Sequence, residues 1–332
     1  MISLLRYSLS NGSHLGSGSV VFRWRWTLVG LLAVGAVAVA CGGSDSAGGD
    51  ASPTVADGRL LVIATTTQIA DMARQVAGER ADVTGLLPAN ADAHDFEPTP
   101  RDVEKIADAG LVLEHGMHLD EWASRLVEQS GTVAQVVVVT TGIVGQPAAG
   151  GEHDHDEDDP HVWLDVSNAK IMVANIRDAL IAADPDGRAI YEANADAYLG
   201  ELDELDAWIR AQVATIPEAN RKLVTNHDAF GYFVHAYGFT FVGSIIPSLD
   251  TQAQPSAQEV DKLIDAIEAE GVKAIFTEAS LNPDLARRIA EEAGVTVVDD
   301  LYADSLGPPG SGAETYIGMM RLNTTRIVEA LR

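Results

Sequence analysis

Residues 188–214 read RAIYEANADAYLGELDELDAWIRAQVA, and this stretch decides the fold. Its apolar side chains recur at helical spacing, at Ile190, Tyr191, Ala195, Tyr198, Leu202, Leu205, Trp208, Ile209 and Val213. The spacing predicts a single helix of 27 residues, roughly 40 Å long. The pattern lasts for too few heptads to indicate a coiled coil, so we interpret the helix as a stiff connector between two larger units.

Strand and helix patterns alternate on both sides of this helix. Before it, strands are predicted at 60–64, 81–87, 111–113 and 134–139, and helices at 69–77, 100–109, 119–129 and 167–183. After it, strands are predicted at 222–225, 274–277 and 296–298, and helices at 230–236, 257–270, 283–293 and from Ala313 onward. Such alternation favours mostly parallel sheets flanked by helices. We therefore predict an α/β protein with an N-terminal lobe (59–166), a helical connector (167–215) and a C-terminal lobe (216–332).

The N-terminal segment has the composition of a secretion signal. Its basic residues are Arg6, Arg23 and Arg25, and no acidic residue precedes Asp45. The uncharged run 27–40 would span about 21 Å as a helix, which is too short for a hydrocarbon core of about 30 Å. We therefore predict that residues 1–40 are a signal peptide.

The signal ends in Ala38-Val39-Ala40-Cys41, which resembles a bacterial lipobox, so Cys41 is the predicted lipidation site. A plain secretory signal with an incidental cysteine is the alternative. Residues 42–58 are mostly Gly, Ser, Ala and Asp, which predicts a flexible tether. The prediction is an extracytoplasmic domain held by a lipid anchor in the membrane, on the periplasmic side or at the cell surface.

Charge and cysteine content exclude several classes of function. The chain has 22 basic and 49 acidic residues, a net charge of −27. Loss of residues 1–40 would leave 19 basic residues and a net charge of −30. Nucleic-acid binding is excluded by this acidity. The single cysteine excludes an intramolecular disulfide and a CxxC motif, so ligands must come from oxygen and nitrogen atoms.

Three histidines occupy the loops where α/β proteins bind ligands. His94 and His227 each follow a predicted strand, and His161 precedes a predicted helix. Each of them alone would most often be a loop residue without a metal, but together they indicate a site. Asp304 follows the predicted strand 296–298 and could add an oxygen ligand. Three nitrogens and one oxygen suit zinc, whereas oxygen-rich sites suit magnesium, calcium or manganese.

Two further features carry histidine. The segment Glu152–Asp159 reads EHDHDEDD, and its His153 and His155 could gather metal weakly beside His161. A solvated acidic loop is the alternative interpretation. His118 is a further histidine, which lies either close to the site or facing solvent.

The motifs that carry these residues resemble those of a known family. They are HDFEP (94–98), DPHVWLD (159–165), NHDAFGYF (226–233), QPS (254–256), FTE (276–278), DS (304–305) and the segment 316–323. This set is similar to the metal-binding solute receptors of bacterial ABC importers for zinc and manganese, from about Leu60 to the C-terminus. The resemblance implies two lobes joined by one long helix, with the metal in the cleft between them. It implies His94 and His161 as ligands from the first lobe, and His227 and Asp304 from the second.

The resemblance also indicates a metal and a partner. In this family the third ligand tends to be His in zinc receptors and Glu in manganese receptors, and here it is His227. Together with the acidic histidine loop, this favours Zn²⁺ as the transported ion, with Mn²⁺ or iron as the alternative. The expected partner is the transmembrane permease of an ABC transporter, and we expect a monomer.

The chemistry of the donors agrees with carriage of an ion. Three imidazoles and one carboxylate close a tetrahedral shell and leave no open position for catalysis, so we expect no enzyme activity. Ligands divided between two lobes allow metal binding to favour closure of the cleft. Protonated imidazole cannot bind metal, so affinity should fall below about pH 6–6.5.

Three rival functions remain open from the sequence. A zinc metallohydrolase would need a general base, for which Glu278 or Asp228 is available. A surface adhesin would need a binding partner that nothing in the sequence specifies. A receptor for an organic solute should show aromatic and arginine anchors, whereas the loops here carry His and Asp.

Overall fold

Two parallel sheets form the framework of the protein in the computed structural model, which describes residues 55–56, 59–150 and 158–332. The first half contains β1 (Val55–Ala56), β2 (Arg59–Ala64), β3 (Ala81–Gly85), β4 (Leu111–Glu114) and β5 (Gln135–Val138). The second half contains β6 (Lys222–His227), β7 (Thr240–Ile246), β8 (Ala274–Glu278) and β9 (Thr296–Leu301). The predicted pair of α/β lobes is therefore confirmed.

Pairing of the strands brings their carboxyl ends to one edge of each sheet. In the first sheet β2 pairs in parallel with β3 and β4, and β4 pairs in parallel with β5, while β1 is antiparallel to the start of β2. The second sheet has the order β7-β6-β8-β9, with every pair parallel. Loops at such an edge are where ligands bind in α/β folds.

Nine α-helices among the described residues cover and connect the sheets. They are α1 (Thr67–Ala77), α2 (Pro100–Ala107), α3 (Glu121–Ser130), α4 (Val166–Ala183), α5 (Arg188–Val213), α6 (Gly231–Tyr237), α7 (Ala257–Glu270), α8 (Asp284–Ala293) and α9 (Tyr316–Leu331). Polar caps fix several of their starts. Thr99 with Asp102, and Ser256 with Glu259, form reciprocal capping boxes. No helix among the described residues has the length and apolar character needed to cross a membrane.

The long helix α5 is the predicted connector between the sheets. Its buried side chains repeat at helical spacing, at Tyr191, Ala195, Tyr198, Leu202, Leu205, Ile209 and Val213. This face packs against α1, α4 and α9, so it contacts elements from both halves of the chain. A continuous apolar stripe of this kind makes the helix a rigid part of the core.

Three details differ from the sequence-based expectation. Strand β7 was not predicted, because Gly243 and Ser244 interrupt its apolar pattern and it lies at the edge of its sheet. The tether was expected to reach Gly58, yet Val55 pairs with Leu60. Helix α4 begins at Val166, one residue before the predicted start at Ser167. It is capped by Asp165, whose side chain accepts a hydrogen bond from the backbone N–H of Ser167.

Some predictions lie outside the described residues. They concern the signal peptide 1–40, Cys41 with most of the tether, and the histidines 153 and 155 of the acidic loop.

A hydrogen-bonded tyrosine ties the last helix to the first half of the chain. The Tyr316 hydroxyl donates to the carbonyl of Trp163 at 2.6 Å, and the Tyr316 backbone N–H donates to Asp71 at 2.8 Å. Tyr198 of α5 is also buried, but its hydroxyl forms no hydrogen bond with any described residue. The two tyrosines therefore offer a matched comparison.

We predict opposite effects of removing the two hydroxyl groups. Tyr316→Phe should lower the free energy of unfolding by about 1–2 kcal/mol, because it leaves a buried carbonyl without its donor. Tyr198→Phe should be neutral or stabilising, because it removes an unpaired buried hydroxyl. Urea unfolding of both variants at pH 7 measures the difference. Equal losses of stability would contradict the prediction.

Candidate metal centre

Four side chains from four separate loops or strand ends meet in the cleft between the sheets. His94 lies in the loop between β3 and α2, and His161 lies just before the turn that leads into α4. His227 is the last residue of β6, and Asp304 lies in the loop after β9. The structure thus brings together all four residues that the sequence predicted as ligands.

The ligand atoms of this cluster are separated by distances that suit one ion. The His161 Nε2 atom lies 3.2 Å from His94 Nε2 and 3.4 Å from His227 Nε2. The Asp304 Oδ1 atom lies 3.3, 3.5 and 4.0 Å from the Nε2 atoms of His161, His227 and His94. Ligands about 2.0–2.1 Å from a tetrahedral zinc ion would be about 3.3–3.4 Å apart.

The carboxylate of Asp304 is buried, and its ion pairs among the described residues are with histidines alone. Its side chain has no solvent exposure, and no described residue donates a hydrogen bond of good geometry to either oxygen. A buried carboxylate in this condition is costly unless a cation compensates it. The donor set therefore fits a divalent metal.

Two further carboxylates lie behind the imidazole rings. Asp159 Oδ1 is 2.7 Å from His161 Nδ1, and Glu278 Oε1 is 2.5 Å from His227 Nδ1. Both carboxylates are buried. A carboxylate on Nδ1 keeps the ring proton there and turns the Nε2 lone pair toward the metal position. Asp159 and Glu278 thus orient one histidine from each lobe.

The role of Asp159 corrects an expectation from the sequence. The segment 152–159 was interpreted as one acidic loop, but Asp159 is fully buried and belongs to the cluster. Gly231, at the start of α6, makes room for it, because a Cβ atom there would lie 2.6 Å from Asp159 Oδ2. The sequence Asp159-Pro160-His161 places this carboxylate two residues before the histidine, and its orienting role could have been predicted from that spacing.

Glu278 was also missed as an orienting group. It ends β8, the strand beside β6, so its position next to His227 follows from sheet order. As a hydrolytic base it is poorly placed, because it contacts Nδ1 on the far side of the His227 ring from the cluster. Asp228, the other candidate base, accepts a hydrogen bond from the Gly150 backbone N–H at 2.7 Å.

The electrostatics of the cluster favour charged histidines in the absence of metal. Burial acts to lower the pKa of His161, but Asp159 and Asp304 raise it to about 9. Burial likewise opposes protonation of His227, whose pKa Glu278 and Asp304 nevertheless hold well above its ordinary value. Burial lowers the pKa of His94, although Asp304 acts to raise it. Metal must therefore displace protons from the two carboxylate-bound histidines.

Hydrogen bonds to backbone atoms hold the ligand loops from behind. The Trp163 indole N–H donates to the carbonyl of Ala303 at 3.0 Å, and this links the His161 and Asp304 loops. His115, which had no predicted role, is buried with its Nε2 2.8 Å from the carbonyl of Pro160. Its ring also packs edge-on against Trp163. The residues next to His161 and Asp304 are thus fixed by the core.

A cavity of about 340 Å³ lies at the His94 side of the cluster. Its lining includes His94, His118, Glu121, Asp158 and Asp250. His118 is exposed at this mouth, with Nδ1 2.7 Å from Glu121 Oε1. His94 is the one ligand with measurable exposure, at 10% of its side chain. The cavity is therefore the aqueous approach to the cluster.

Comparison with known proteins agrees with this arrangement. Residues 62–330 match the family model described as zinc-uptake complex component A, periplasmic. The manganese-binding lipoprotein MntA of Halalkalibacterium halodurans is 37% identical over 302 residues, which cover 91% of this chain and 96% of the relative. The iron-binding protein YfeA of Yersinia pestis is 34% identical over 271 residues, covering 82% and 86%.

A solved structure shows the same fold. The periplasmic zinc-binding protein TroA of Treponema pallidum superposes with a TM-score of 0.76 at 31% identity, and the match covers 82% of this chain and 99% of that one. The chain carries its buried histidine and aspartate cluster between two α/β lobes. The chain belongs to the zinc-uptake complex component A family, whose members are metal-binding receptors of ABC transporters and not enzymes.

Proposed function

We propose that this protein is an extracytoplasmic receptor that binds Zn²⁺ through His94, His161, His227 and Asp304 and delivers it to an ABC transporter permease. One observation carries the proposal, namely the cluster of three imidazole nitrogens and one buried carboxylate within 4.8 Å of one another. Nitrogen-rich, four-coordinate sites suit zinc better than manganese. Cys41 would carry the lipid anchor, and His153 and His155 would form a weaker auxiliary site.

Manganese is the second candidate, and two observations favour it. The relatives MntA and YfeA are named for manganese and iron. In addition, Oδ2 of Asp304 is buried and has no hydrogen-bond donor among the described residues, so this carboxylate could bind a metal through both oxygens. A bidentate carboxylate raises the coordination number, which suits manganese.

The binding of the ion can be described from the residues of the chain. The carboxylates of Asp159 and Glu278 hold the Nδ1 protons, so His161 and His227 present their Nε2 atoms to the incoming ion. His94 and His161 come from the first lobe, and His227 comes from the second. The ion therefore favours the closed cleft, because only that arrangement supplies all the ligands.

The choice between the two ions can be tested in the native host. Nitrogen and oxygen sites generally bind zinc more tightly than manganese, so a competition in vitro is biased toward zinc. Cells that lack this protein should grow poorly when zinc is chelated, and should recover with added zinc but not with manganese. Recovery with manganese alone would overturn the assignment of zinc.

The orienting role of Asp159 predicts a loss of affinity. Asp159→Asn should weaken zinc binding about 10–100-fold, because the carboxylate that holds His161 Nδ1 is lost. Asp158→Asn is the matched control, because Asp158 is an exposed neighbour that lines the cavity. Competition with a chelator of known affinity measures both variants. Similar losses in both would show that general acidity, and not orientation, matters.

The raised pKa values predict the pH range over which affinity changes. Since the pKa of His161 is about 9 in the metal-free protein, zinc must displace a proton at any pH below that value. Apparent zinc affinity should rise about tenfold or more per pH unit between pH 6 and pH 8. This range lies above the pH 6–6.5 expected for unperturbed histidine. Equal affinities at pH 6 and pH 8, after correction for the chelator, would contradict the prediction.

A further inference from the structure

A short segment of the second lobe crosses the cleft beside the metal centre. It comprises residues 248–251, Ser-Leu-Asp-Thr, and we name it the cleft strap. At one end, the Ser248 carbonyl accepts a hydrogen bond of 3.1 Å from the backbone N–H of Asp228, the residue after His227. At the other end, the Thr251 hydroxyl donates to Asp92 Oδ2 at 2.5 Å. Thr251 is buried, and Asp92 is partly exposed.

Asp92 connects the cleft strap directly to a ligand. Its second oxygen, Oδ1, accepts a hydrogen bond of 2.9 Å from the backbone N–H of His94. One carboxylate thus binds the His94 backbone in the first lobe and the Thr251 hydroxyl in the second. Any movement of the strap away from the first lobe must break this link or pull on the His94 loop.

The cleft strap spans the widest edge of the cluster. The rings of His94 and His227 have centroids 6.0 Å apart, whereas each lies 5.3 or 5.2 Å from the ring of His161. The ion pair between the His94 ring and Asp304 is long, at 4.0 Å, and among the described residues no carboxylate pairs with its Nδ1 atom as in the other two histidines. The cleft strap therefore connects His94 and His227, the two histidines whose rings are farthest apart in the cluster.

The position of the cleft strap also controls access. Ser248, Leu249 and Asp250 line the cavity that leads to His94. Displacement of the strap would widen this opening and free the His94 loop at the same time. Movement of this one segment would therefore open a path for the ion and loosen His94 together.

We propose that Asp92 and Thr251 are positioning residues, which hold His94 in the closed site and set the rate at which the bound ion leaves. The inference rests on the proposed function, because it requires that the cluster binds a metal ion. Asp92 and Thr251 do not touch the ion themselves. Their effect passes through the backbone of His94 and through the cleft strap.

Two substitutions at Thr251 distinguish the effect of its hydroxyl group on ion release from the effect of its side-chain shape. Thr251→Val keeps the branched shape and removes the donor, whereas Thr251→Ser keeps the donor. In the full chain loaded with Zn²⁺, Thr251→Val should release the ion about tenfold faster or more, as expected for loss of a hydrogen bond to a charged group. Thr251→Ser should release it at nearly the wild-type rate. Stopped-flow mixing with excess chelator measures these rates.

A double-mutant cycle tests whether the effect passes through His94. His94→Ala should weaken zinc binding, and Thr251→Val should then cause little additional loss of equilibrium affinity. Asp92→Asn provides a second route to the same contact and should also accelerate release. The melting temperature of each metal-free variant reports whether the fold is intact, and it should stay near the wild-type value.

The outcomes distinguish this inference from the proposed function. If the wild-type chain binds Zn²⁺ tightly but Thr251→Val and Asp92→Asn release it at the wild-type rate, the positioning role is wrong and the receptor function stands. Additive effects of His94→Ala and Thr251→Val would also overturn it. If the wild-type chain binds neither Zn²⁺ nor Mn²⁺, the proposed function fails and the inference fails with it.

Discussion

The compensation of buried negative charge is the constraint on which this structure depends. Asp159, Glu278 and Asp304 are all buried around three imidazoles. Among the described residues, no lysine or arginine forms a salt bridge with any of them; their ion pairs are with histidine alone. Carboxylates removed from water need a positive partner. Protons on the histidines or a divalent cation must supply it, so the empty and loaded states differ in protonation as well as in ligation.

The fold supplies this charged cluster by sheet order and by hydrogen bonds to backbone atoms. His227 and Glu278 end neighbouring parallel strands, so their contact follows directly from the pairing of β6 with β8. The loop that carries Asp304 belongs to the second sheet by sequence, yet the first lobe holds it. Gln68 and Trp163 both donate to the carbonyl of Ala303, at 3.1 and 3.0 Å. The geometry of the site is therefore set in part by contacts between the lobes.

These interlobe contacts explain how far the sequence could predict the molecule. The long helix α5 and the capped helices follow from local signals, namely apolar period and cap residues. The four clustered residues follow from their places in loops and from the family resemblance of their motifs. Asp159 could have been assigned from its place two residues before His161, whereas the role of Glu278 arises from contact with His227 on a neighbouring strand. Strand β7 escaped prediction because an edge strand with Gly243 has a weak apolar pattern.

The contact between Thr251 and Asp92 is a clearer example of an interaction that the sequence alone does not predict. The two residues are 159 positions apart, and neither stands in a pattern that predicts a partner. Only the arrangement of both lobes around the cleft brings them together. The sequence alone thus nominates four side chains that the fold brings together, whereas the residues that would govern release of an ion become visible only in the folded chain.

Tight binding and timely release place opposite demands on such a site, and in the proposed receptor they fall on different ligands. His161 and His227 are fully buried and each is held by a carboxylate, so they form the fixed part of the cluster. His94 is partly exposed, lies in a loop at the mouth of the cavity, and is held through its backbone by Asp92. Loss of one ligand from a four-ligand shell lowers affinity without dismantling the other three. A receptor built in this way can keep its fixed ligands preorganised and still pass the ion on when the His94 side opens.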